Sequence, residues 1–481
     1  MATKDRQAGA GSAQAWALGL ASVASFMVVL DMLVVATALS TIRRDLGASI
    51  EQLEWTVNAY TLSFAVLLMT AAALGDRFGR RRLFAIGLGL FAVASAACAL
   101  APGVSWLIAA RAVQGAGAAM VMPLALALLN AAVPPQRRGW AMGIFGGVTA
   151  LAALVGPVIG GAITEGIAWP WIFWLNVPIG LLAIPLVLSR VAESYGPRAA
   201  LDIPGLGLGG GAALGLVWAL VRGNSAGWGS PEVIGALAAG ALLAVGFAAR
   251  EMRARTPMLP MRLFRSRAFS AGNAAIFFLN ASLTGAVFFM AQFQQTALGQ
   301  GPLSAGLRLL PWGATPFLVA PRAGALADRL GERPLITAGL LLQAAGMAWI
   351  AVIAGPGLAY PAMIAPMIIS GFGFGMAIPA VTKSVVSSVA PGDIGKASGA
   401  FSTMRQLGGA FGVAILAAVF AAAGSYASAR AFSDGFAPAI AVSAGLSLAG
   451  AVAALILPGR ATATGSAPAV AVPMVRASAD H

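Results

Sequence analysis

One cysteine and one histidine in 481 residues leave few routes to metal or hydrolytic chemistry. Cys98 lies inside an apolar run, so the chain offers neither a disulfide framework nor a metal cluster. His481 is the last residue, so no triad with that histidine can form around Gly223-Asn224-Ser225-Ala226-Gly227, despite its nucleophile-elbow spacing. No GxxxxGK[ST] phosphate loop is present, which argues against pumping driven by ATP. Gly205, Gly207 and Gly210 fit a dinucleotide pattern, but they fall in an apolar helical run with no strand before them. Charge is also scarce. Asp, Glu, Lys and Arg make up 10% of the chain, against about 25% in soluble domains. That is too few to coat a water-soluble surface.

What is abundant is apolar sequence, at 59% of the residues and a mean hydropathy of +0.86. Runs of roughly 20 apolar residues are long enough to cross a hydrocarbon core about 30 Å thick as helices. Transmembrane β-strands would be shorter and alternating. Spans are predicted near 16–40, 53–74, 83–101, 105–130, 140–163, 170–189, 203–222, 231–249, 269–297, 303–327, 334–354, 358–382, 399–423 and 436–457. The chain therefore reads as an all-α integral membrane protein of about fourteen spans, its first span uncleaved because no convincing cleavage site follows Lys4 and Arg6. The net charge of +14 does not imply a nucleic-acid partner. Lys and Arg fall mainly in alternate short loops, the bias that orients helices in a bilayer, and the even span count puts both termini on that basic, cytoplasmic side. A multi-pass protein of the inner (cytoplasmic) membrane is expected, with the lipid bilayer as its partner and a monomer as its state.

The turn Gly75-Asp76-Arg77-Phe78-Gly79-Arg80-Arg81-Arg82 has a partial copy at Gly324-Ala325-Leu326-Ala327-Asp328-Arg329-Leu330-Gly331-Glu332-Arg333. Aligning the two turns yields six spans, an inserted pair and six spans. The expected segments are a tail at 1–15, a six-helix bundle at 16–189, the inserted pair and linker at 190–268, a second six-helix bundle at 269–457, and a disordered tail at 458–481. Asp202 is expected to cap the first inserted helix. The basic stretch Arg250 to Arg267, broken by Pro257 and Pro260, suits a chain lying along the inner membrane surface.

Asp31 is the one acid placed deep within a span, and an ionisable group there is costly enough to imply function. Arg111, on span 4 at a similar depth, is close enough to pair with it. Pairing favours the carboxylate and dehydration favours the neutral acid, so a change in access would load or release a proton. The alternative is a permanent bridge that only fixes packing. Gly156, Pro157, Gly160 and Gly161 strip bulk from one face of span 5 and permit close packing and a bend, with or without a directional role. Asp76, Arg77 and Arg80, with Asp328 and Arg333 as a weaker counterpart, suit a latch between the halves, or act as topology signals alone. A substrate site is expected near the midplane between the halves, with Asn58, Gln292, Gln295, Trp312, Phe289 and Phe293 as candidates and Phe288 nearby, although each could equally serve packing.

The basic turn Asp76-Arg77-Phe78-Gly79-Arg80-Arg81 resembles the loop signature of the major facilitator superfamily. Three further stretches, together with fourteen spans, are similar to its drug:proton antiporter family: Arg111-Ala112-Val113-Gln114-Gly115-Ala116-Gly117, Gly156-Pro157-Val158-Ile159-Gly160-Gly161 and Trp171-Ile172-Phe173-Trp174-Leu175-Asn176-Val177-Pro178-Ile179-Gly180. The resemblance covers nearly the whole chain except its tails. Ala72 and Ala152 stand where these signatures usually have glycine. The resemblance implies a major facilitator fold, coupling through Arg111 and an antiporter role for the span 5 glycines. The expected activity is export of amphipathic organic compounds such as drugs, antibiotics and dyes, in exchange for protons, with the proton gradient as energy source and no cofactor. A carrier of a specific metabolite or lipid, or a transport-inactive membrane sensor, are the other readings.

Overall fold

The computed structural model describes residues 2–134, 137–196, 202–254, 257, 259–390 and 393–458; for 2–13, Gly139, Ala325 and Asp328 it describes the backbone alone. The expected tail at 458–481 lies, beyond its first residue, outside the described residues. The expected N-terminal tail instead continues the first helix. Among the described residues there is no strand.

The first half comprises α1 (Ala2–Leu46), α2 (Ile50–Phe78), α3 (Arg80–Ala99), α4 (Val104–Ala132), α5 (Arg138–Gly166), α6 (Trp171–Trp174) and α7 (Asn176–Arg190). After the pair α8 (Ile203–Ala226) and α9 (Pro231–Arg253), the second half runs through α10 (Arg267–Thr296), α11 (Pro302–Arg308), α12 (Leu310–Leu330), α13 (Glu332–Ile353), α14 (Tyr360–Ser387), α15 (Ile394–Ala423) and α16 (Ala429–Leu455). With α6 and α7 taken together, thirteen of the described helical segments are long and apolar enough to cross a membrane. The remaining expected span, 303–327, is split at Leu309 into α11 and α12, and α12 carries Pro316 and Pro321 in its interior. Proline removes a backbone donor and bends a helix, so this span is composed for packing between neighbours. Expected span 6 is likewise divided, with α7 starting after Leu175.

The duplicated turns share a backbone solution. Gly79 and Gly331, the glycines of the two Asp-Arg-x-Gly frames, both adopt positive φ, 111° and 89°. A side chain is strained there, so glycine lets α2 pass into α3, and α12 into α13, through one residue. Asp202 caps α8 by accepting from Gly205 N at 2.9 Å.

Within the first half, α1 packs on α5 and α4, and α4 on α2 and α3; within the second, α10 packs on α15 and α16, and α14 on α12 and α13. The halves meet along two seams, α2 with α15 and α5 with α11 and α12. The inserted pair is central in the sequence but lateral in space. Its α8 lies over the first seam, where Ala213 and Val217 cluster with Leu62 of α2 and Ala410 of α15. Arg262, in the turn Met261–Arg265, holds Asp393 at the start of α15 at 2.8 Å and ties the linker to the second half.

The end bearing the Arg77–Arg82 turn is here called the basic end. At the opposite, far end the halves are closed. A Cβ on Gly161 would collide with the backbone of Pro302, and one on Gly306 with the carbonyl of Pro157. Gln295 Nε2 donates to Thr37 O at 2.8 Å, and Leu303 N to Glu165 Oε2 at 2.9 Å. Toward the basic end α5 separates from α12. Gly143, Gly146 and Gly147 have open space where a Cβ would sit, and Trp140 is 64% exposed. The first seam persists there, with Met69 of α2 lying against Gly399 of α15.

Far-end closure depends on glycine at these crossings. With Cys98→Ser and Gln295→Cys introduced, Gly161→Leu or Gly306→Leu is expected to raise the reaction rate of the introduced thiol with a membrane-impermeant maleimide several-fold. An unchanged rate would show that closure does not depend on the crossing.

Candidate functional site

Asp31 lies midway along the apolar part of α1, and Arg111 and Gln114 project from adjacent turns of α4. Arg111 NH1 donates to Asp31 Oδ2 at 2.6 Å and to Gln114 Oε1 at 2.6 Å. Gln114 Nε2 donates to Asp31 Oδ1 at 2.8 Å and to Ser95 Oγ of α3 at 2.7 Å. Asn176, the first residue of α7 after the break at Leu175, donates to Asp31 Oδ1 at 2.8 Å. Asp31 and Arg111 are each 1% exposed. Arg111 Nε also donates to Thr56 O of α2 at 3.1 Å, and its guanidinium lies 4.2 Å from the Tyr60 ring centre. Five helices thus converge on one ion pair, and the carboxylate accepts from three side chains. Taking two ions out of water costs several kcal/mol each, and a pair survives only when the remaining donors and lone pairs are satisfied. Gln114, Ser95 and Asn176 do that. Sequence reasoning quoted Gln114 and Asn176 inside motifs without assigning them a partner; the available signal was their amide type within otherwise apolar spans.

The second half has a neutral counterpart on α10, α13 and α16. Gln343 Nε2 donates to Ser282 Oγ at 3.0 Å, and Ser282 shares hydrogen bonds with Ser443 and Ser447 at 2.8 Å each. The charged network therefore has no charged copy there among the described residues.

The expected substrate residues lie elsewhere. Phe289 and Phe293 are fully buried in the far-end core, where Phe289 stacks on Phe420 and Phe293 on Phe436 at 4.1 Å. Gln292 Nε2 bonds to Phe288 O at 2.8 Å, and its Oε1 accepts from Tyr426. Burial pushes the Tyr426 hydroxyl pKa up, which keeps it a neutral donor. Arg43 of α1 stacks 4.2 Å over the same ring, joining the halves. Trp312 is buried with its indole N–H unpartnered, and Asn58 is buried with neither amide atom partnered. With Gln295 on Thr37, these residues cluster about the far-end closure. Glu54 of α2 belongs there too, 2% exposed with Oε2 unpartnered, a buried acid that its position near the start of the span concealed.

The basic turn is tied to its own half. Asp76 pairs with Arg80 at 2.7 Å, and Glu193, beyond α7, accepts from Arg81 N at 2.8 Å. Arg77 lies over the Phe78 ring. At the second turn Glu332 pairs with Lys383 at 3.1 Å, Arg333 is half-buried, and the Asp328 side chain lies outside the described set. The α5 glycines divide their roles: Gly156 and Gly160 admit Leu33, Val34 and Thr37 of α1, whereas Gly161 admits Pro302 of the other half. Among the described residues no cluster of His, Cys, Asp and Glu could hold a metal ion.

A family model described as Major Facilitator Superfamily matches residues 21–413. The chain is 36% identical over 83% of its length, and 74% of the relative's, to a tetracenomycin C resistance and export protein of Streptomyces glaucescens. It is 36% identical to the cephamycin export protein CmcT of Amycolatopsis lactamdurans over 84% of each chain. Among solved structures, a bacterial homolog of the human lysosomal transporter Spinster, in an inward-facing, unoccupied conformation, superposes with a TM-score of 0.66 at 15% identity, covering 92% of this chain and 98% of that one.

Removing one member of the buried pair strands the other. Asp31→Asn and Arg111→Gln are each expected to destabilise the purified protein by about 3 kcal/mol or more, and the double variant by less than either single. Additive losses in a double-mutant cycle would show that the two charges do not stabilise one another.

Proposed function

The chain belongs to the Major Facilitator Superfamily, and on that premise we propose that it exports amphipathic organic compounds by exchanging each for protons in an alternating-access cycle. The observation that carries this reading is the Asp31–Arg111 network, an ion pair sealed at mid-depth in a helix that also builds the far-end closure. Leu33, Val34 and Thr37 lie within two turns of Asp31 and pack against Gly156 and Gly160 of α5. Thr37 O also receives Gln295 of the other half. A proton taken up by Asp31 removes the charge that Arg111, Gln114 and Asn176 hold, and α1 is then free to shift against α5 and α10. Proton occupancy and closure of the far end thereby compete through one helix.

The direction of transport follows from orientation. The basic end faces the cytoplasm by the positive-inside bias, and both termini lie on that side of the inner membrane. The state described here, parted at the basic end, is the one that accepts substrate from inside. Outward opening exposes Asp31 to the external medium, where it takes a proton; return to the inward state releases it as the donors close on the carboxylate. Energy comes from the proton gradient, and a single chain suffices, since both halves of the pathway are within it. Export is supported by the two relatives whose names call them export proteins.

In energised inverted vesicles, addition of a transported dye or antibiotic is expected to release protons from the lumen when the unaltered protein is present. At matched expression the release is expected to vanish with Asp31→Asn, and to stay absent with Asp31→Asn combined with Arg111→Gln, the less destabilised of the two variants. Release that persists unchanged in either variant would remove Asp31 from the coupling step.

A further inference from the structure

One charge is left over once the Asp31–Arg111 network, the basic turns and the linker are accounted for. Arg405 lies on α15, roughly 16 Å from Ile394 at about 1.5 Å per residue. That places it near the middle of the hydrocarbon depth, level with the seam where Thr403 meets Ala65 in mid-α2. Its side chain is exposed, yet it sits deep within the volume of the protein. Exposure combined with enclosure marks the wall of an internal cleft. A guanidinium facing lipid at this depth would be costly, and intramembrane charges almost always face the bundle interior or water. Among the described residues its guanidinium has no hydrogen bond and no ion pair, in contrast to Arg111.

The surroundings complete a binding site for one sign of charge. Ser402 shares the Arg405 face of α15 and Gln406 flanks it, both half-buried. One turn toward the far end, Gly409 closes that face against Asn280 and Thr284 of α10. Asn280 Nδ2 donates to the Arg405 carbonyl at 2.7 Å, which fixes the backbone below the side chain. Half-buried Phe277 on α10 offers an aromatic surface next to it. No carboxylate balances the cation. The intramembrane lengths of α5, α10, α12, α14 and α15 contain no Asp or Glu; α1 has only Asp31, already engaged, and the acids of α2 lie toward its two ends.

We propose that Arg405 anchors the anionic head of the exported compound, so that the substrate class is amphipathic organic anions such as aromatic carboxylates. This assignment rests on the export reading above. An unpaired cation in a low-dielectric cleft attracts an anion strongly and repels cations, and a planar guanidinium takes a carboxylate in bidentate fashion. Ser402 and Gln406 supply further polar contacts, while the apolar body lies along the aromatic wall. Discrimination arises because a cationic ligand would face uncompensated like charge.

The test uses two xanthene dyes of opposite charge, fluorescein and rhodamine 6G, with binding to the purified protein in nanodiscs measured separately from flux in proton-loaded proteoliposomes. The unaltered protein is expected to bind fluorescein in preference to rhodamine 6G, and Arg405→Ala to weaken fluorescein binding by about tenfold or more. Arg405→Lys is expected to retain part of the affinity, and Arg405→Glu to reverse the preference toward rhodamine 6G, which a merely misfolded variant would not do. Preference for rhodamine 6G in the unaltered protein, binding of neither dye, or fluorescein affinity unchanged in Arg405→Ala would overturn the assignment. Arg405-dependent fluorescein binding without proton-linked flux would uphold the anion site and instead defeat the export reading. Proton-linked rhodamine 6G flux indifferent to Arg405→Ala would do the converse.

Discussion

Hydrocarbon cannot solvate charge, and the placement of every ionic group in this protein follows from that constraint. Most of the basic residues are pushed to the ends of helices, where they orient the chain. Those that remain inside must be neutralised by partners or must face water. Asp31 and Arg111 take the first route, with Gln114, Asn176 and Tyr60 completing the shell. The completeness of that shell explains why five helices converge there: a buried pair with one lone pair or donor left unmet would destabilise the bundle it sits in.

Because charge is so constrained, the contact between the halves is built almost without it. The far end closes through glycines that bring backbone against backbone and through the Gln295 amide donating to the Thr37 carbonyl. Such contacts are short and steep, so they are either fully made or lost, which suits a joint with two positions. The α1–α5 crossing matters most, because α5 presents Gly156 and Gly160 to its own half and Gly161 to the other. A shift of α1 is therefore felt across the interface.

Hydropathy and the repeated turn made the helical spans, the two halves and the inserted pair legible, because run length and duplication are properties of the chain itself. The Asp31–Arg111 pairing was legible too, as two opposite charges at matching depth have few alternatives. What the sequence could not convey was azimuth. Gln292 and Gln295 read as polar groups seeking a ligand, yet the structure satisfies them with Phe288, Tyr426 and Thr37. Arg405 passed unnoticed because a single arginine in an apolar run reveals nothing about which face it occupies. Glu54 was hidden for the opposite reason, since a position near a helix start suggests exposure while tertiary packing buries it. The breaks at Leu175 and Leu309 also escape a reading based on run length, because Asn176 and Arg308 are single polar residues that do not end the apolar runs around them.

The two halves descend from one pattern but have divided its chemistry. The first retains a charged network on α1, α3, α4 and α7, and the second holds hydroxyls and an amide on α10, α13 and α16, where no net charge can change. A neutral network of this kind has nothing to lose or gain with a proton, so it holds its helices in register independently of protonation. The exposed cation of the second half, Arg405, lies on α15, which meets α2 of the first half along the seam that stays closed toward the basic end. If proton handling belongs to one half and charge recognition to the other, the two events must communicate across the interface rather than compete for a shared carboxylate. The lateral helix α8 then has a physical reason for its position: by covering the α2–α15 seam it keeps lipid from the side of the joint nearest the unpaired charge.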